Sequence, residues 1–560
     1  MTRHETDEHD TSRHDTSGRA TVVVLGGGRA GAPLAARLAR AGTPVVVIDA
    51  EVGSARERLL HADPGCTVPV ASGAEAAGGA AVVVDALPER LGVKQAVLRS
   101  IGAVAPDAVL VTTALALPVS EVAAGTAYDG RACGIRWLGP LPGAVELVGA
   151  PGAEPVERVR ALLAAAGLGA VPGGPPDAPG VAAGLLIELL NRAVGMLDAG
   201  CATREDLDLA VRAGCGWAQG PLEALEAIGL PTALDVLDAL HVRTGRPGHA
   251  AAPLLRRLVA GYGDGARFPT CAPVSEADAG PVPDVGRVGV AGTGTMAIGI
   301  AAALVAAGLP TTVVGRTAER ASAARAAARD AAERAGQPAA DWLLTAASDL
   351  ADLADCTLVV EAVVEDLDVK RAVLRELDTA CGASTVLATT TSSLTVLDCA
   401  TATARPRDVV GMHFFNPVAT MPLVEIVASE RTGPRALAVA ERVAELTGRQ
   451  VVRCADRAGF LVNRLLFPLL NDAVAAAAAG TVTAGELDLV LRRTCGLPLG
   501  PFRLLDLVGA DVALALQENL HREYGDPGLA PAPALHSLVA DGVLGSKAGR
   551  SVGAALAAAA

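Results

Sequence analysis

The sequence predicts a chain of mixed class, α/β plus all-α, built as two tandem units. Each unit reads as a doubly wound α/β domain followed by a helical domain. Three observations predict this. The chain is written twice: VVVDALPERLGVKQAVLR (82–99) lines up with LVVEAVVEDLDVKRAVLR (358–375), and CGWAQGPLEALEAIGL (215–230) with CGLPLGPFRLLDLVGA (495–510). A register that holds across whole units marks a duplication rather than a short solenoid repeat. The first part of each unit alternates apolar strand-like runs with alanine-rich helical runs, the pattern of a parallel sheet covered on both faces. The second part, about 174–267 and 456–553, has helical periodicity and no convincing strand.

The bounds agree. A chain of 560 residues is long enough for three or four domains at ~150 residues each. Hydrophobic residues make up 51% but aromatic residues only 2%, so the cores are aliphatic and alanine-rich. The net charge of −14 gives no basic footprint for nucleic acid. Ten cysteines without paired-ligand spacing read as scattered reduced thiols in a cytoplasmic protein, with no metal site.

In chain order, residues 1–19 are expected to be a disordered tail; they are polar and lack the apolar segment of a signal peptide. A degenerate α/β domain covers 20–173 and a helical domain 174–267. Residues 268–286, rich in proline and small residues, form the linker. A second α/β domain covers 287–455, a helical domain 456–553, and 554–560 is a tail. The charge-free run 288–314 is long enough for a membrane span, but its VGVAGTGTMAIG opening is a strand and glycine turn, so it reads as buried α/β structure.

Each α/β domain opens with a glycine turn between a strand and a helix. Such a turn brings the backbone close to a pyrophosphate at a helix N-terminus, the Rossmann-type arrangement. The first unit has Gly26, Gly28 and Gly31; the second has Gly292 and Gly294, then Ala297. The end of the second strand reads the cofactor. Asp49 in PVVVIDAE is placed to accept from a ribose 2′-hydroxyl, the NAD pattern. In TTVVGRTAER the acid is replaced by Gly315, followed by Arg316. Losing the carboxylate removes repulsion and a guanidinium pairs with a 2′-phosphate, so the second unit is expected to favour NADP(H) over NAD.

Oxidising an alcohol requires a base for the hydroxyl proton. His413 stands in the turn-prone HFFNP after an apolar strand, and Glu425 follows twelve residues on in MPLVEIV. A carboxylate there would hold one imidazole nitrogen and stabilise the imidazolium.

The segments GTGTM, EAVVEDLDVK, TSSL, MHFFNP…MPLVEIV and GFLVNRLL, in this order, resemble the 3-hydroxyacyl-CoA dehydrogenase family, in its 3-hydroxybutyryl-CoA dehydrogenase-like form. The resemblance covers nearly all of 287–550 and, in degraded form, 20–267. It implies interconversion of L-3-hydroxyacyl-CoA and 3-ketoacyl-CoA with a nicotinamide cofactor, in fatty acid metabolism. It further implies that His413 is the base, Glu425 its partner, Ser392 the hydroxyl that bonds the substrate's 3-oxygen, and Asn463 the amide that positions the substrate. Gly292, Gly294, Thr295 and Met296 then line the cofactor with Glu365 and Lys370. The sequence departs from the family at Ala297, Thr390 and Ala458, and its 317–342 excursion is short. The acyl carrier is therefore read as CoA or, alternatively, an acyl carrier protein.

The first copy has Arg136 for His413, Leu115 for Ser392 and Gly184 for Asn463, while Glu146 stands for Glu425. Arginine does not act as a base near neutral pH. The nucleotide features persist: Gly26, Gly28, Gly31 and Asp49, with Glu89 and Lys94 for Glu365 and Lys370. The first unit therefore reads as a catalytically dead module with a candidate NAD site, its helical domain forming an internal pseudo-dimer with the second. A non-catalytic nucleotide-binding scaffold is the remaining alternative. No nucleic-acid or membrane partner is expected.

Overall fold

The computed structural model describes residues 21–270, 284–336 and 341–559. The expected 1–19 tail and most of the expected linker lie outside them. Two eight-stranded sheets are built to one plan. The first contains β1 (Val22–Leu25), β2 (Val45–Ile48), β3 (Val70–Ala71), β4 (Val82–Asp85), β5 (Val109–Thr112), β6 (Ala132–Arg136), β7 (Ala144–Val148) and β8 (Gly169–Pro172), in the order β3-β2-β1-β4-β5-β6-β7-β8. The second contains β9 (Val288–Ala291), β10 (Thr311–Val314), β11 (Leu344–Ala347), β12 (Leu358–Glu361), β13 (Val386–Thr389), β14 (Val409–Phe414), β15 (Leu423–Ala428) and β16 (Gln450–Ala455), in the corresponding order. Pairing is parallel from β3 to β6 in the first sheet, and antiparallel for β6 with β7; in the second sheet only β14 with β15 is antiparallel.

Short runs such as VVVL and VGVA are buried at every position, as strands covered on both faces require. Helices α1 (Gly31–Arg40), α2 (Val52–Ala62), α3 (Leu91–Gly102), α4 (Val119–Ala123) and α5 (Glu154–Ala165) accompany the first sheet. Two helical domains follow in chain order. The first is α6 (Val181–Asp198), α7 (Arg204–Cys215), α8 (Pro221–Ile228), α9 (Leu230–Thr244) and α10 (Pro253–Tyr262). Helices α11 (Thr295–Ala306), α12 (Ala318–Arg334), α13 (Leu367–Ala380), α14 (Val396–Ala400) and α15 (Pro434–Leu446) accompany the second sheet. The second helical domain is α16 (Val462–Ala478), α17 (Ala484–Thr494), α18 (Pro501–Val508), α19 (Ala510–Tyr524), α20 (Pro533–Ala540) and α21 (Val552–Ala559). The charge-free run 288–314 is β9, α11 and β10, and no helix among the described residues is long and apolar enough to cross a membrane.

The chain divides into two compact units: the first sheet with its helices, and the second sheet together with both helical domains. Within the latter, α6 lies along α16, and both are buried nearly all round, as core helices are. Helix α7 packs on β15, β16 and α16. Close approach is set by Gly214, where a Cβ would stand 2.8 Å from side-chain carbons of both Leu423 and Val462. Arg464 donates to the Cys201 sulfur at 3.3 Å, and the Ala455 N–H to the Cys201 carbonyl at 3.0 Å.

One expectation fails at the C-terminus. Residues 554–559, read as a tail, continue helix α21. The Asp506 carboxylate accepts from the Val552 N–H at 2.7 Å at its start, and Val552 and Leu556, one turn apart, are buried.

Candidate active site

A doubly wound sheet collects its loops at the carboxyl ends of the strands, on either side of the point where the strand order reverses. The second sheet places four sequence-predicted groups there. The glycine turn follows β9, Glu365 follows β12, Ser392 follows β13, and His413 stands one residue before the end of β14.

His413 and Glu425 are direct cross-strand partners in the antiparallel β14–β15 pair, so their side chains share a face. That register explains the twelve-residue spacing. The His413 Nδ1 lies 2.6 Å from Glu425 Oε2. A carboxylate only accepts, so Nδ1 carries a proton, and in the neutral ring the lone pair is at Nε2. Glu425 is wholly buried, and its other oxygen accepts from the Leu461 N–H at 3.1 Å and the Val462 N–H at 2.9 Å. These are free donors at the start of α16, where the helix dipole also favours a negative charge. The second helical domain thus fixes the carboxylate that fixes the histidine. Asn463 is the next residue, in the first turn of α16 and largely buried.

Two aromatic rings hold the imidazole, Phe415 edge-on at 4.7 Å and Phe460 at 5.5 Å between centroids. Phe460 has φ +46°, a left-handed backbone rare outside glycine. Strain of that kind persists where the surroundings force it, at functional sites above all. The sequence shows Phe415 in HFFNP, but nothing in it signals the Phe460 backbone.

Glu365 organises the loop after β13. Its Oε1 accepts from the Thr391 hydroxyl at 2.7 Å, the Ser392 and Ser393 N–H groups at 2.8 Å each, and the Ser393 hydroxyl at 3.0 Å. The Ser392 hydroxyl makes only a 3.4 Å contact to it. Burial acts to raise the Glu365 pKa, but Lys370 and these donors outweigh burial and hold it below the usual carboxylate range. Lys370, placed at the cofactor by resemblance, is wholly buried. Its ammonium binds Glu361 at 2.9 Å and lies 3.5 Å from Glu365. A fully desolvated cation must be paired, and Lys370 is held between Glu361 and Glu365 as a strut beneath the latter.

The glycine turn has the openness a dinucleotide requires. At Gly292 (φ +144°) a Cβ would meet the Ala362 carbonyl oxygen at 2.3 Å, whereas Gly294 has no atom within 4 Å of that point. Thr295 and Met296 open α11 beside it. Gly315 is buried, and a Cβ there would lie 2.9 Å from the Ala321 nitrogen, so no acid fits; Arg316 beside it is exposed.

The first sheet repeats this frame with other contents. Arg136 pairs with Glu146 in the β6–β7 register that His413 and Glu425 occupy in β14–β15. Arg136 is 2% exposed, and its Nε donates to the Ala114 carbonyl at 3.0 Å. Burial pulls its pKa down against the opposing pull of Glu146 and Glu89. Glu89 accepts from the Ala116 and Leu117 N–H groups at 2.7 and 2.9 Å, and Lys94 pairs with Asp85 at 2.9 Å. Asp49 accepts from the Gly27 N–H at 2.7 Å, across the glycine turn that holds Gly26 and Gly28. At Gly31 a Cβ would lie 1.9 Å from the Gly26 carbonyl, so only glycine fits.

Asn191 and Asn471 make matching bonds, to the Gly248 and Ala250 carbonyls and the Ala252 N–H in one case, and to the Ala530 carbonyl and the Ala532 N–H in the other. Counting from that pair, the counterpart of Asn463 is Ala183, not Gly184. Neither carries an amide.

The model of the 3-hydroxyacyl-CoA dehydrogenase NAD-binding domain matches residues 21–172 and 287–457, and that of the C-terminal domain 181–263 and 459–554. The chain belongs to the 3-hydroxyacyl-CoA dehydrogenase family. It is a tandem duplication of that family's two domains, an oxidoreductase acting on a CH–OH group with a nicotinamide cofactor. It is 40% identical over 275 residues to a 3-hydroxybutyryl-CoA dehydrogenase of Mycobacterium tuberculosis, covering 47% of this chain and 96% of the relative. A probable 3-hydroxybutyryl-CoA dehydrogenase of Deinococcus radiodurans is 38% identical, with 36% and 73% covered. The crystal structure of 3-hydroxybutyryl-CoA dehydrogenase from Escherichia coli K12 matches 94% of this chain and 100% of its own, with a TM-score of 0.58 at 20% identity. That likeness extends the fold over both halves.

Proposed function

We propose that the second half interconverts L-3-hydroxyacyl-CoA and 3-ketoacyl-CoA, and that the first half is a pseudo-enzyme. The observation that carries this is the His413–Glu425 pair, held from behind by α16, against Arg136–Glu146 in the same register. His413 Nε2 takes the 3-hydroxyl proton, and Glu425 stabilises the resulting imidazolium. The loosely bound Ser392 hydroxyl and the Asn463 amide donate to the 3-oxygen as it gains charge. Glu365 holds the Ser392 loop and Lys370 holds Glu365. Gly292, Gly294, Thr295 and Met296 hold the dinucleotide, which when bound supplies the hydride acceptor, or the donor in reduction.

We assign NADP(H) to the second half, on the lack of space for an acid at Gly315 and the exposed guanidinium of Arg316; the first half is a structural partner in this reading, with Asp49 marking a candidate NAD site. The domain divisions 20–173, 174–267, 287–455 and 456–553 and the internal pseudo-dimer of helical domains belong to the same reading, supported by the packing of α6 along α16.

A panel of acetoacetyl-CoA and longer 3-ketoacyl thioesters with NADH and NADPH tests it. Reduction is expected, with kcat/KM higher for NADPH. A clear preference for NADH overturns the cofactor assignment, and no turnover with any member overturns the substrate class. Acyl-carrier-protein thioesters in the same panel separate the two carriers.

A further inference from the structure

Where α6 and α16 meet, two related positions have taken opposite charges. Arg192 and Asp472 each follow the matched asparagines Asn191 and Asn471. Arg246 and Asp526 are likewise counterparts, since His241 and His521 donate from Nδ1 to their carbonyls at 3.1 and 3.0 Å. The pairs are crossed. Arg246 binds Asp472 at 2.5 Å, and Arg192 lies 4.0 Å from Asp526. Exchanging the two copies turns one pair into the other, so both are the same contact seen from opposite sides. Glu188 braces both arginines within the first copy, at 3.2 Å to Arg192 and 3.0 Å to Arg246, and its counterpart in the second copy is Pro468.

We propose that these positions form a pairing code: the helical face of the second half fits the arginine-bearing face of a first half and rejects another second half. This rests on the pseudo-dimer reading above. A like pair of second halves would bring four aspartates together with no arginine at these positions, Asp472 in a site with only 9% side-chain exposure. Repulsion between like charges and the loss of each arginine partner act in the same direction. A like pair of first halves would set four arginines against two glutamates, a milder conflict. The half that carries His413 is thereby committed to a degenerate partner, which accounts for a first half that keeps its fold while its base position has changed.

The test uses full-length chains, all carrying Glu188→Gln so that the first copy's own acid does not bias the swap. Arg192→Asp with Arg246→Asp is expected to lower Tm by about 5 °C or more, and so is Asp472→Arg with Asp526→Arg. The fourfold swap is expected to regain at least half of either loss. A fourfold variant as unstable as the two doubles combined overturns the code. Should the reversals not fold, the cycle of Arg246→Gln with Asp472→Asn decides: a coupling of tenfold or more in the unfolding equilibrium supports the code, and additive singles overturn it. Cleavage at a protease site inserted at residue 276 tests the underlying reading separately. Halves that part during gel filtration overturn the pseudo-dimer itself, whereas halves that stay together without swap rescue overturn the code alone.

Discussion

The β14–β15 pair and the β6–β7 pair are the same piece of architecture with different chemistry. Both are antiparallel pairs in a mainly parallel sheet, and both put a carboxylate directly opposite a cationic or basic residue. In one the pair is His413 and Glu425. In the other Arg136, almost fully buried, reaches from β6 to the loop that in the second sheet carries Ser392. The frame is common to both because Glu89, Lys94, Asp85 and Thr112 tie the strand ends together as Glu365, Lys370, Glu361 and Thr389 do. Burying an arginine demands such partners, so the substitution gives a structural residue in place of a titratable one.

The sharpest way to break the comparison is to move the histidine. His413→Ala is expected to lower kcat about 10³-fold or more, while NADPH binding followed by fluorescence is unchanged. Arg136→His added to that variant is expected to restore nothing, because Leu115 and Ala183 supply neither hydroxyl nor amide. Recovery of even a few per cent of the activity would show that the first half retains a working site.

A smaller effect tests whether the first half supports the second site. Gly214, at the end of α7, meets Leu423 and Val462 with no room for a side chain. Leu423 opens the strand of Glu425, and the Val462 N–H is one of its two backbone donors. Gly214→Val is expected to reduce kcat about tenfold by displacing that carboxylate, with KM for the cofactor unchanged. A variant with wild-type kcat and a lower Tm would make α7 a packing element only.

Much of this was legible in the sequence, for definite reasons. The duplication, the glycine turns and the HFFNP-to-VEIV segment are local patterns whose spacing is fixed by strand register. What the sequence hid depends on distant segments. Lys370 looks like a surface residue of an amphipathic helix, and only the fold puts it under Glu361 and Glu365. The counterpart of Asn463 reads one residue off because the helix alone carries no register mark; the bonds of Asn191 and Asn471 supply it. The alanine run of α21 has too little amphipathic contrast to read as a helix until Asp506 is seen at its start. The crossed charges at Arg246 and Asp472 join residues far apart in the chain.

The smallest expected effect concerns those charges. Burial first, and then the Glu188 carboxylate, push the Asp472 pKa up to about 7, against the pull of Arg246 and Arg192. At Arg246 the balance falls the other way: burial opposes its charge, but Asp472 and Glu188 outweigh it and raise its pKa. An aspartate in the unfolded chain titrates near 4, so between about pH 4 and 7 the folded protein holds a proton that the unfolded chain has lost. That contribution to stability is complete below pH 4 and disappears as pH rises through about 7. His249, packed beside Glu188, acts in the opposite sense: burial lowers its pKa from 6.5, so its effect is confined below that value. Above pH 6.5 Asp472 acts without it. Tm is therefore expected to fall by a few degrees between pH 6.5 and 8, and Asp472→Asn to flatten that slope. An unchanged slope in the variant would mean that the Arg246 pair keeps Asp472 ionised throughout. The two halves would then be joined by a permanent ion pair, and the pairing code would carry no pH dependence across that range.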